Sequence, residues 1–455
     1  MAVVTNTTRR RDPGRRTPTG GGGRAVALAL CLLVAGLSAG PVLGQADPAS
    51  ALQEAEAALA RNDVPAAVAL ATPAADAGLV EAQLLLAGIY YRGSGVPQDY
   101  AAAARWYTLA ARSGNAEAQN ALGVCYAAGL GVRQDFAEAL KWYRAAAEQG
   151  DPRHQFDLAA MIENGHGTAP DPAKAARWYE KAVAQGLAEA EANLGILYLE
   201  GRGVARDAER ARALLSAAAD KGEAKAQNNL GLMYVRGQGV AQDYPKAAAL
   251  FRQAAEQGLK PAMTNLGVMY DNGFGVPQSE TRAFEWYRRG GRAQSAAVPE
   301  LDLTAIDAVY DSRLAPPYSG GWTVKSYESA AARGDVLAAF LLGYVHAAGI
   351  RVPRDYRIAA RYYRQAAAGG FVPAMTNLGL LSFRGLGMPQ DFVTGYMWLN
   401  LASAAGHAEA SQLRAALRPR MTAGQINEAQ DLAKRRWKKP RTGTGGDTAR
   451  SADER

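Results

Sequence analysis

Apolar side chains recur along most of this chain at the spacing of an amphipathic helix. In residues 224–236, Ala226, Leu230 and Met233 follow one another at steps of three or four, so they line one face of a helix. A second apolar stripe follows and ends at Gly258, and a Gly-x-Gly loop separates the two stripes. Because glycine readily adopts the positive φ that ends a helix, the pattern predicts two short helices joined by a tight loop.

This two-helix unit recurs with a period of 36 residues. The first loop glycine occupies one column, which comprises Gly93, Gly129, Gly165, Gly201, Gly237 and Gly273. Aspartates predicted to cap the second helices form another column, which comprises Asp99, Asp135, Asp171, Asp207 and Asp243. Asp135 and Glu138 also have the spacing of a capping box. A fixed period of this length predicts an all-α fold, an α/α solenoid of about nine 36-residue helix-turn-helix repeats with terminal capping helices.

The repeat frame divides the chain into segments. They are a signal peptide at 1–44, a divergent helix pair at 45–79, six repeats at 80–292, a degenerate repeat with an inserted loop at 293–334, two repeats at 335–410, closing helices at 411–437 and a basic disordered tail at 438–455. The inserted loop is a hinge, a capping element between two sub-arrays, or a binding loop. In a solenoid each unit contacts only its neighbours, so removal of one whole repeat should leave the other helices intact.

Net charge is concentrated at the two ends of the chain. Residues 1–44 and 434–455 each contribute +5, whereas residues 45–433 carry a net charge of −2. A nearly neutral body lacks the basic face that neutralises phosphates, which argues against nucleic-acid binding. The basic cluster from Lys434 to Arg441 is either a solvated tail or a contact for anionic lipid or nucleic acid.

The N-terminus predicts an export signal. Six arginines precede an uncharged stretch from Ala25 to Gly44, and small residues suit cleavage before Gln45 or Asp47. We therefore expect residues 1–44 to be removed and the protein to be periplasmic or secreted. The alternative is an inner-membrane anchor formed by residues 25–44, because twenty uncharged residues can span a bilayer.

The repeat has the sequence of a known family. One unit reads AQNNLGLMY from Ala226 to Tyr234, followed by Gly237-Gln238-Gly239-Val240. These residues resemble the Sel-one-like repeat (SLR) family, relatives of the tetratricopeptide repeats, over roughly residues 63–410. The resemblance implies a right-handed superhelix that acts as an adaptor or scaffold, with envelope or host proteins as partners of exported bacterial members. Arg351 departs from the pattern because it replaces the second loop glycine.

Motifs for catalysis, cofactors or metals are not evident. Helices rather than strands precede the Gly-x-Gly loops, which are therefore turns and not phosphate cradles. The four histidines are scattered over three repeats, and Cys125 occupies an apolar column that predicts burial. We predict a non-enzymatic protein with no catalytic residue, cofactor or metal. The alternatives are a cell-wall-active or beta-lactam-related envelope hydrolase and a membrane-anchored regulator.

One polar column has no packing role in the sequence pattern. Its members, each directly before the leucine of its repeat, are Asn193, Asn229, Asn265 and Asn377. An amide both donates and accepts, so it can pair with the backbone of an extended peptide of any sequence. In related tetratricopeptide grooves an asparagine at a similar place faces the concave surface. We predict that these four bind a protein or peptide partner there, and that the chain is a monomer. The alternative is that each amide bonds a neighbouring helix and orders the stack.

Overall fold

The structure is a computed structural model that describes residues 47–292, 308–310, 314, 317 and 323–437. All regular secondary structure within these residues is helical. Nearly every helix packs against the next one along the chain, which confirms the predicted α/α solenoid. The predicted export signal, the predicted basic tail and residues 293–307 of the degenerate repeat lie outside the described residues.

Each unit before the degenerate repeat contributes a first and a second helix. The opening pair is α1 (Pro48–Ala60) and α2 (Val64–Asp76). The first helices of the six repeats that follow are α3 (Val80–Arg92), α5 (Ala116–Ala128), α7 (Pro152–Asn164), α9 (Ala188–Glu200), α11 (Ala224–Arg236) and α13 (Lys260–Asn272). Their second helices are α4 (Tyr100–Arg112), α6 (Phe136–Ala147), α8 (Pro172–Val183), α10 (Ala208–Asp220), α12 (Tyr244–Glu256) and α14 (Glu280–Arg292).

The degenerate repeat keeps a recognisable second helix, α15 (Val324–Ala332), which follows the capping residue Thr323. Two complete pairs follow, formed by α16 (Val336–Ala348) with α17 (Tyr356–Ala368), and by α18 (Val372–Arg384) with α19 (Phe392–Ala404). The described chain closes with α20 (Ala408–Leu417), a short 3-10 turn and α21 (Ala423–Trp437).

The Gly-x-Gly loop seats each repeat directly on the one before it. Gly237 ends α11 with a φ of 63°, and Gly239 follows with a φ of 66°. A Cβ atom on Gly239 would lie 2.7 Å from the carbonyl oxygen of Ala208, at the start of α10. Asp243 then begins α12 by accepting a hydrogen bond from the backbone N–H of Lys246 at 2.9 Å. The second glycine is thus required both for its backbone conformation and for the close approach of two repeats.

We expect Gly239→Ala to lower the free energy of unfolding by about 2–5 kcal/mol, because strain at positive φ adds to overpacking against Ala208. Chemical denaturation measures this loss. Gly222→Ala is the matched control, since Gly222 also has a positive φ (91°) but nothing lies within 4 Å of an added Cβ. Equal losses in the two variants would contradict the close-approach role.

Arg351 keeps the loop geometry without a glycine. It follows α16 at the position of the second loop glycine, and its φ is 58°. The backbone therefore takes the left-handed conformation that the glycines adopt in the other loops. The departure from the repeat pattern changes the residue and not the path of the chain.

The capping box predicted at the start of α6 is not formed. Asp135 accepts from the backbone N–H groups of Ala137 and Glu138, both at 3.0 Å. The Glu138 carboxylate pairs with Lys141 instead of returning to Asp135. The box is unnecessary because the N–H of Asp135 already donates to the carbonyl oxygen of Tyr126 at 3.0 Å.

The two ends of the array touch each other. Helix α21 packs against α19 and also contacts α4, the second helix of the first repeat. One hydrophobic core joins the two regions, with Tyr100 and Leu122 from the first two repeats and Leu399 and Ile426 from the C-terminal helices. The prediction that each unit contacts only its neighbours is therefore wrong at the ends of the array.

Buried polar groups hold this end-to-end contact together. The amide of Asn400 on α19 accepts from the backbone N–H of Gln98 at 2.8 Å and donates to its carbonyl oxygen at 3.1 Å. Arg414 on α20 donates to the carbonyl oxygens of Arg92 (2.9 Å) and Gly93 (3.4 Å). Both carbonyls lie at the C-terminus of α3, where the helix dipole favours a cation. The contact is specific because each of these two buried side chains has a partner at the opposite end.

Two residues of the basic cluster near the C-terminus contact other helices, and one of them, Lys434, takes part in the contact between the ends. Lys434 forms an ion pair with Asp99 at 2.6 Å, and the guanidinium of Arg436 lies 4.2 Å from the centre of a Trp398 ring. Both cationic side chains are therefore bound to other residues of the same chain. The remaining members of the cluster, from Lys438 onwards, lie outside the described residues.

Candidate peptide-binding site

The four asparagines predicted to bind a partner lie at one register on α9, α11, α13 and α18. Asn377 is 1% exposed, whereas Asn193, Asn229 and Asn265 are half-buried. The neighbouring first helices come within hydrogen-bonding distance along this row, because Asn265 on α13 donates to the side-chain oxygen of Asn228 on α11 at 2.9 Å. Asn265 therefore lies where the first helices α11 and α13 face each other.

The contacts of these asparagines differ from repeat to repeat. Asn193 donates to the hydroxyl oxygen of Tyr179 on the preceding second helix at 3.0 Å, and that hydroxyl donates to Glu163 at 2.8 Å. Asn229 donates to the carbonyl oxygen of Lys225 one turn earlier in its own helix, at 2.8 Å. The structure thus places all four on equivalent helix positions and gives each a different partner.

Asn377 pairs with the backbone of the inserted segment. Its side-chain oxygen accepts from the N–H of Val309 at 2.7 Å, and its NH₂ group donates to the carbonyl oxygen of the same residue at 2.9 Å. Both main-chain polar groups of one residue are satisfied by a single amide, in a manner that does not depend on the side chain of Val309. This is the contact by which an asparagine would bind an extended peptide.

The same pairing occurs once more, and a related one once, where the ends of the array meet. Asn400 binds the N–H and carbonyl groups of Gln98, as described above. Asn427 on α21 accepts from the N–H of Gly131 at 3.1 Å and donates to the carbonyl oxygen of Gly129 at 3.2 Å. An asparagine amide on a helix is therefore a recurrent way for this fold to bind non-helical backbone.

An aromatic cluster receives the residue next to Val309. The ring centre of Tyr310 lies 4.6 Å from that of Tyr344 and 6.1 Å from that of Phe340, both on α16. Phe340 is fully buried and in turn contacts Phe371, with ring centres 4.9 Å apart. Aromatic pairs at these separations add to the stabilisation from burial alone. The site therefore combines an amide that binds backbone with a cluster that binds an aromatic side chain.

Burial fixes the protonation of the hydroxyl and thiol groups in this region. It raises the pKa of Tyr179 and of Tyr363 above the ordinary value, so both phenols stay protonated and keep an O–H group that is able to donate. Burial also raises the pKa of the Cys125 thiol to about 12. Cys125 is fully buried and protonated at neutral pH, which is the opposite of a reactive thiolate.

Sequence reasoning identified Asn377 but missed Val309 and Tyr310. The two residues lie in the inserted loop, where the 36-residue period that identified every other element is lost. One signal was present: Ala308, Val309 and Tyr310 form a short apolar run between Asp307 and Asp311.

The comparison with known families matches the repeats identified above. Eight stretches match the family model described as Sel1 repeat: residues 80–115, 116–151, 155–187, 188–223, 224–259, 260–295, 336–371 and 372–407. The chain belongs to the Sel1 repeat family. In this Sel1 repeat protein, the segment with Val309 lies in the gap between the sixth and seventh matches.

Several solved structures are similar to this Sel1 repeat protein. The protein c5321, a protective antigen present in uropathogenic Escherichia coli strains and displaying an SLR fold, is 31% identical, with 86% of this chain and 91% of that one covered and a TM-score of 0.49. A Sel1 repeat protein from Oxalobacter formigenes is 29% identical, with 53% and 96% covered and a TM-score of 0.49. A search of curated proteins found no match.

Two further observations concern the described part of this Sel1 repeat protein. None of its helices has the length and apolar character needed to cross a membrane. Nor do its described His, Cys, Asp and Glu side chains form a group of three or more suited to holding a metal ion.

Proposed function

We propose that this Sel1 repeat protein is a non-enzymatic interaction scaffold that binds a peptide or protein partner in extended conformation. The partner would lie along the face formed by the first helices, which we take as the concave face. The observation that carries this proposal is the pair of hydrogen bonds between the Asn377 amide and the backbone of Val309. Because these bonds go to the main chain, the same amide would accept many partner sequences.

Asn229 and Asn265 are the positions at which we expect an external peptide to bind. They occupy the register of Asn377 on α11 and α13, and both are half-buried. The Asn229 amide donates only within its own helix, to Lys225. A local bond of this kind is readily exchanged for one to the carbonyl oxygen of a ligand. Asn229 therefore needs little rearrangement to bind a partner, whereas Asn265 would exchange its bond to Asn228 on α11.

We further propose that the scaffold works in the periplasm or outside the cell. This rests on the basic and then apolar composition of residues 1–44, with retention at the inner membrane through residues 25–44 as the alternative. The envelope-hydrolase alternative is less supported. A hydrolase that works through a nucleophile needs an activated and accessible one, and no motif for such a nucleophile is evident in the sequence. Intact-mass analysis of the envelope fraction tests the location: we expect a chain that begins near Gln45 or Asp47.

The binding role is tested with peptides selected from a displayed random library on the purified chain. We expect Asn229→Ala/Asn265→Ala to weaken the selected peptide about tenfold or more, a loss of about 1.4 kcal/mol or more. The melting temperature should change little. Fluorescence anisotropy measures the affinity, and Asn272→Ala is the matched control because Asn272 makes the same local bond, to the carbonyl oxygen of Val268 at 2.9 Å.

Two outcomes would count against the binding role. In one, the double variant binds the peptide as tightly as the wild type. In the other, it melts lower yet still binds, which would mean that Asn265 and Asn228 only order the stack. In that case we expect a loss of stability of about 1–3 kcal/mol for each buried partner left without a hydrogen bond.

A further inference from the structure

Two repeats of this chain offer a direct comparison of the asparagine column with and without a bound backbone segment. Asn193 follows Tyr179 by 14 residues, and Asn377 follows Tyr363 by 14 residues. Tyr179 and Tyr363 occupy equivalent positions on α8 and α17. By the register of the repeat, each asparagine therefore has a tyrosine hydroxyl beneath it on the preceding second helix.

The two tyrosine hydroxyls are satisfied differently. The Tyr179 hydroxyl accepts from Asn193 and donates to Glu163. The Tyr363 hydroxyl is fully buried and has no hydrogen-bond partner among the described residues. Ala347 occupies the place that Glu163 has in the other repeat, so no carboxylate is present at that position. Leaving a buried hydroxyl unpaired is unfavourable, and this group calls for an explanation.

The explanation is that Asn377 has two alternative partners. In this structure its amide binds Val309, and the Tyr363 hydroxyl is left unpaired. If Val309 departs, Asn377 can bond to Tyr363 as Asn193 bonds to Tyr179. Departure of the segment is then partly compensated by the new bond. The segment is held by favourable contacts, yet it can be exchanged for another ligand.

We propose that Ala308–Tyr310 is an internal ligand, and that the partner which displaces it is an extended peptide with an apolar residue followed by an aromatic one. This inference rests on the proposed function, because it assigns the partner of the same asparagine column. The apolar residue would take the place of Val309 on Asn377. The aromatic residue would take the place of Tyr310 beside Phe340 and Tyr344.

The chemistry of the site supports a peptide partner of this kind. The amide requires the N–H and carbonyl groups of one extended residue, which a helix of a partner would not present because a helix pairs these groups internally. Ala308 and Leu314 also pack against the same core, so the surroundings of the site are apolar. An internal segment has a high effective concentration at its site, so an external peptide binds only weakly while the segment remains.

The test uses the full chain and a labelled peptide with the sequence of residues 306–314, Ile-Asp-Ala-Val-Tyr-Asp-Ser-Arg-Leu. Val309→Pro removes the N–H that donates to Asn377 and should release the segment. We expect this variant to bind the peptide about tenfold or more tightly than the wild type does. Val309→Ala keeps the N–H and is the matched control, with affinity close to that of the wild type. Adding Asn377→Ala to Val309→Pro should abolish the gain.

A second variant tests the two-partner explanation without a substitution in the segment itself. Tyr363→Phe removes the hydroxyl that Asn377 would turn to, so Val309 should be held more firmly. We expect slower hydrogen exchange at the Val309 amide, whereas Tyr179→Phe should leave that exchange unchanged. Circular dichroism of each variant checks that the helices are retained.

Equal peptide affinities for Val309→Pro and the wild type, or unchanged exchange in Tyr363→Phe, would overturn the internal-ligand inference. That failure is distinguishable from failure of the proposed function. The peptides selected from the library would still depend on Asn229 and Asn265 if the scaffold binds partners elsewhere along the row. Both proposals would be overturned if, in addition, the binding of the library peptides did not depend on Asn229 and Asn265.

Discussion

Arg414→Ala is expected to lower the free energy of unfolding by about 3–5 kcal/mol, the largest effect of any single substitution considered for this fold. Arg414 is buried, and it donates to the carbonyl oxygens of Arg92 and Gly93 and to the side chain of Asn400. Truncation leaves the carbonyl oxygens of Arg92 and Gly93 in a buried contact without the donor that Arg414 provides. Chemical denaturation measures the loss, and faster hydrogen exchange in α4 shows that the ends have separated.

Arg212→Ala is the matched control, because Arg212 is exposed on α10 and far along the chain from the end-to-end contact. We expect its effect to lie within about 0.5 kcal/mol of zero. If Arg414→Ala were as mild as Arg212→Ala, the contact between the ends would contribute little in solution. The array would then behave as an open solenoid.

Deleting one whole repeat, Ala188–Glu223, is expected to keep the remaining helices and to separate the two ends. The contact between Gln98 and Asn400 spans the intervening repeats, so their number sets whether α21 meets α4. Circular dichroism per residue should stay close to that of the full chain, because neighbouring repeats still pack on each other. Deleting half a repeat strands one helix and should cause a much larger loss.

A double-mutant cycle that combines the repeat deletion with Arg414→Ala tests whether Arg414 acts across the two ends. In the shortened chain Arg414 no longer faces the end of α3, so Arg414→Ala should cost less than about 1 kcal/mol there. In the full chain the same substitution should cost about 3–5 kcal/mol. Equal costs in the two backgrounds would show that Arg414 acts within its own helices and not across the ends.

The solenoid was predictable because one physical pattern repeats. Glycines at positive φ, capping aspartates and apolar stripes recur every 36 residues, and each local choice agrees with the others. Even Arg351, which breaks the pattern, has the backbone conformation that the pattern requires. The eight stretches that match the Sel1 repeat model are therefore recognisable from the spacing of these residues.

The contact between the ends was not predictable from that pattern. Gln98 and Asn400 are 302 residues apart, and the columns that define the repeat do not reveal that they meet. A nearest-neighbour description of a solenoid contains no term for the small rotation of each unit, which decides whether the ends meet. Only the accumulated geometry of all the repeats brings α21 onto α4.

The candidate site was predictable in part. The asparagine column shows the position of the amides, but the partner of each amide depends on the residue 14 positions earlier. That residue is Tyr179 before Asn193 and Tyr363 before Asn377, whereas Leu215 and Phe251 precede Asn229 and Asn265. A hydroxyl beneath the amide is an available partner on the preceding helix, which Asn193 uses and Asn377 does not, whereas an apolar side chain offers none. The four asparagines therefore share one position in the repeat, but the side chains around them differ.

A crystal structure of this Sel1 repeat protein with a selected peptide would test the central claim most directly. We predict an extended peptide along the first helices, with the N–H and carbonyl groups of single residues paired to the amides of Asn229 and Asn265 at about 2.7–3.2 Å. A peptide bound on the second helices, with Asn229 still bonded to Lys225 and Asn265 still bonded to Asn228, would contradict the account.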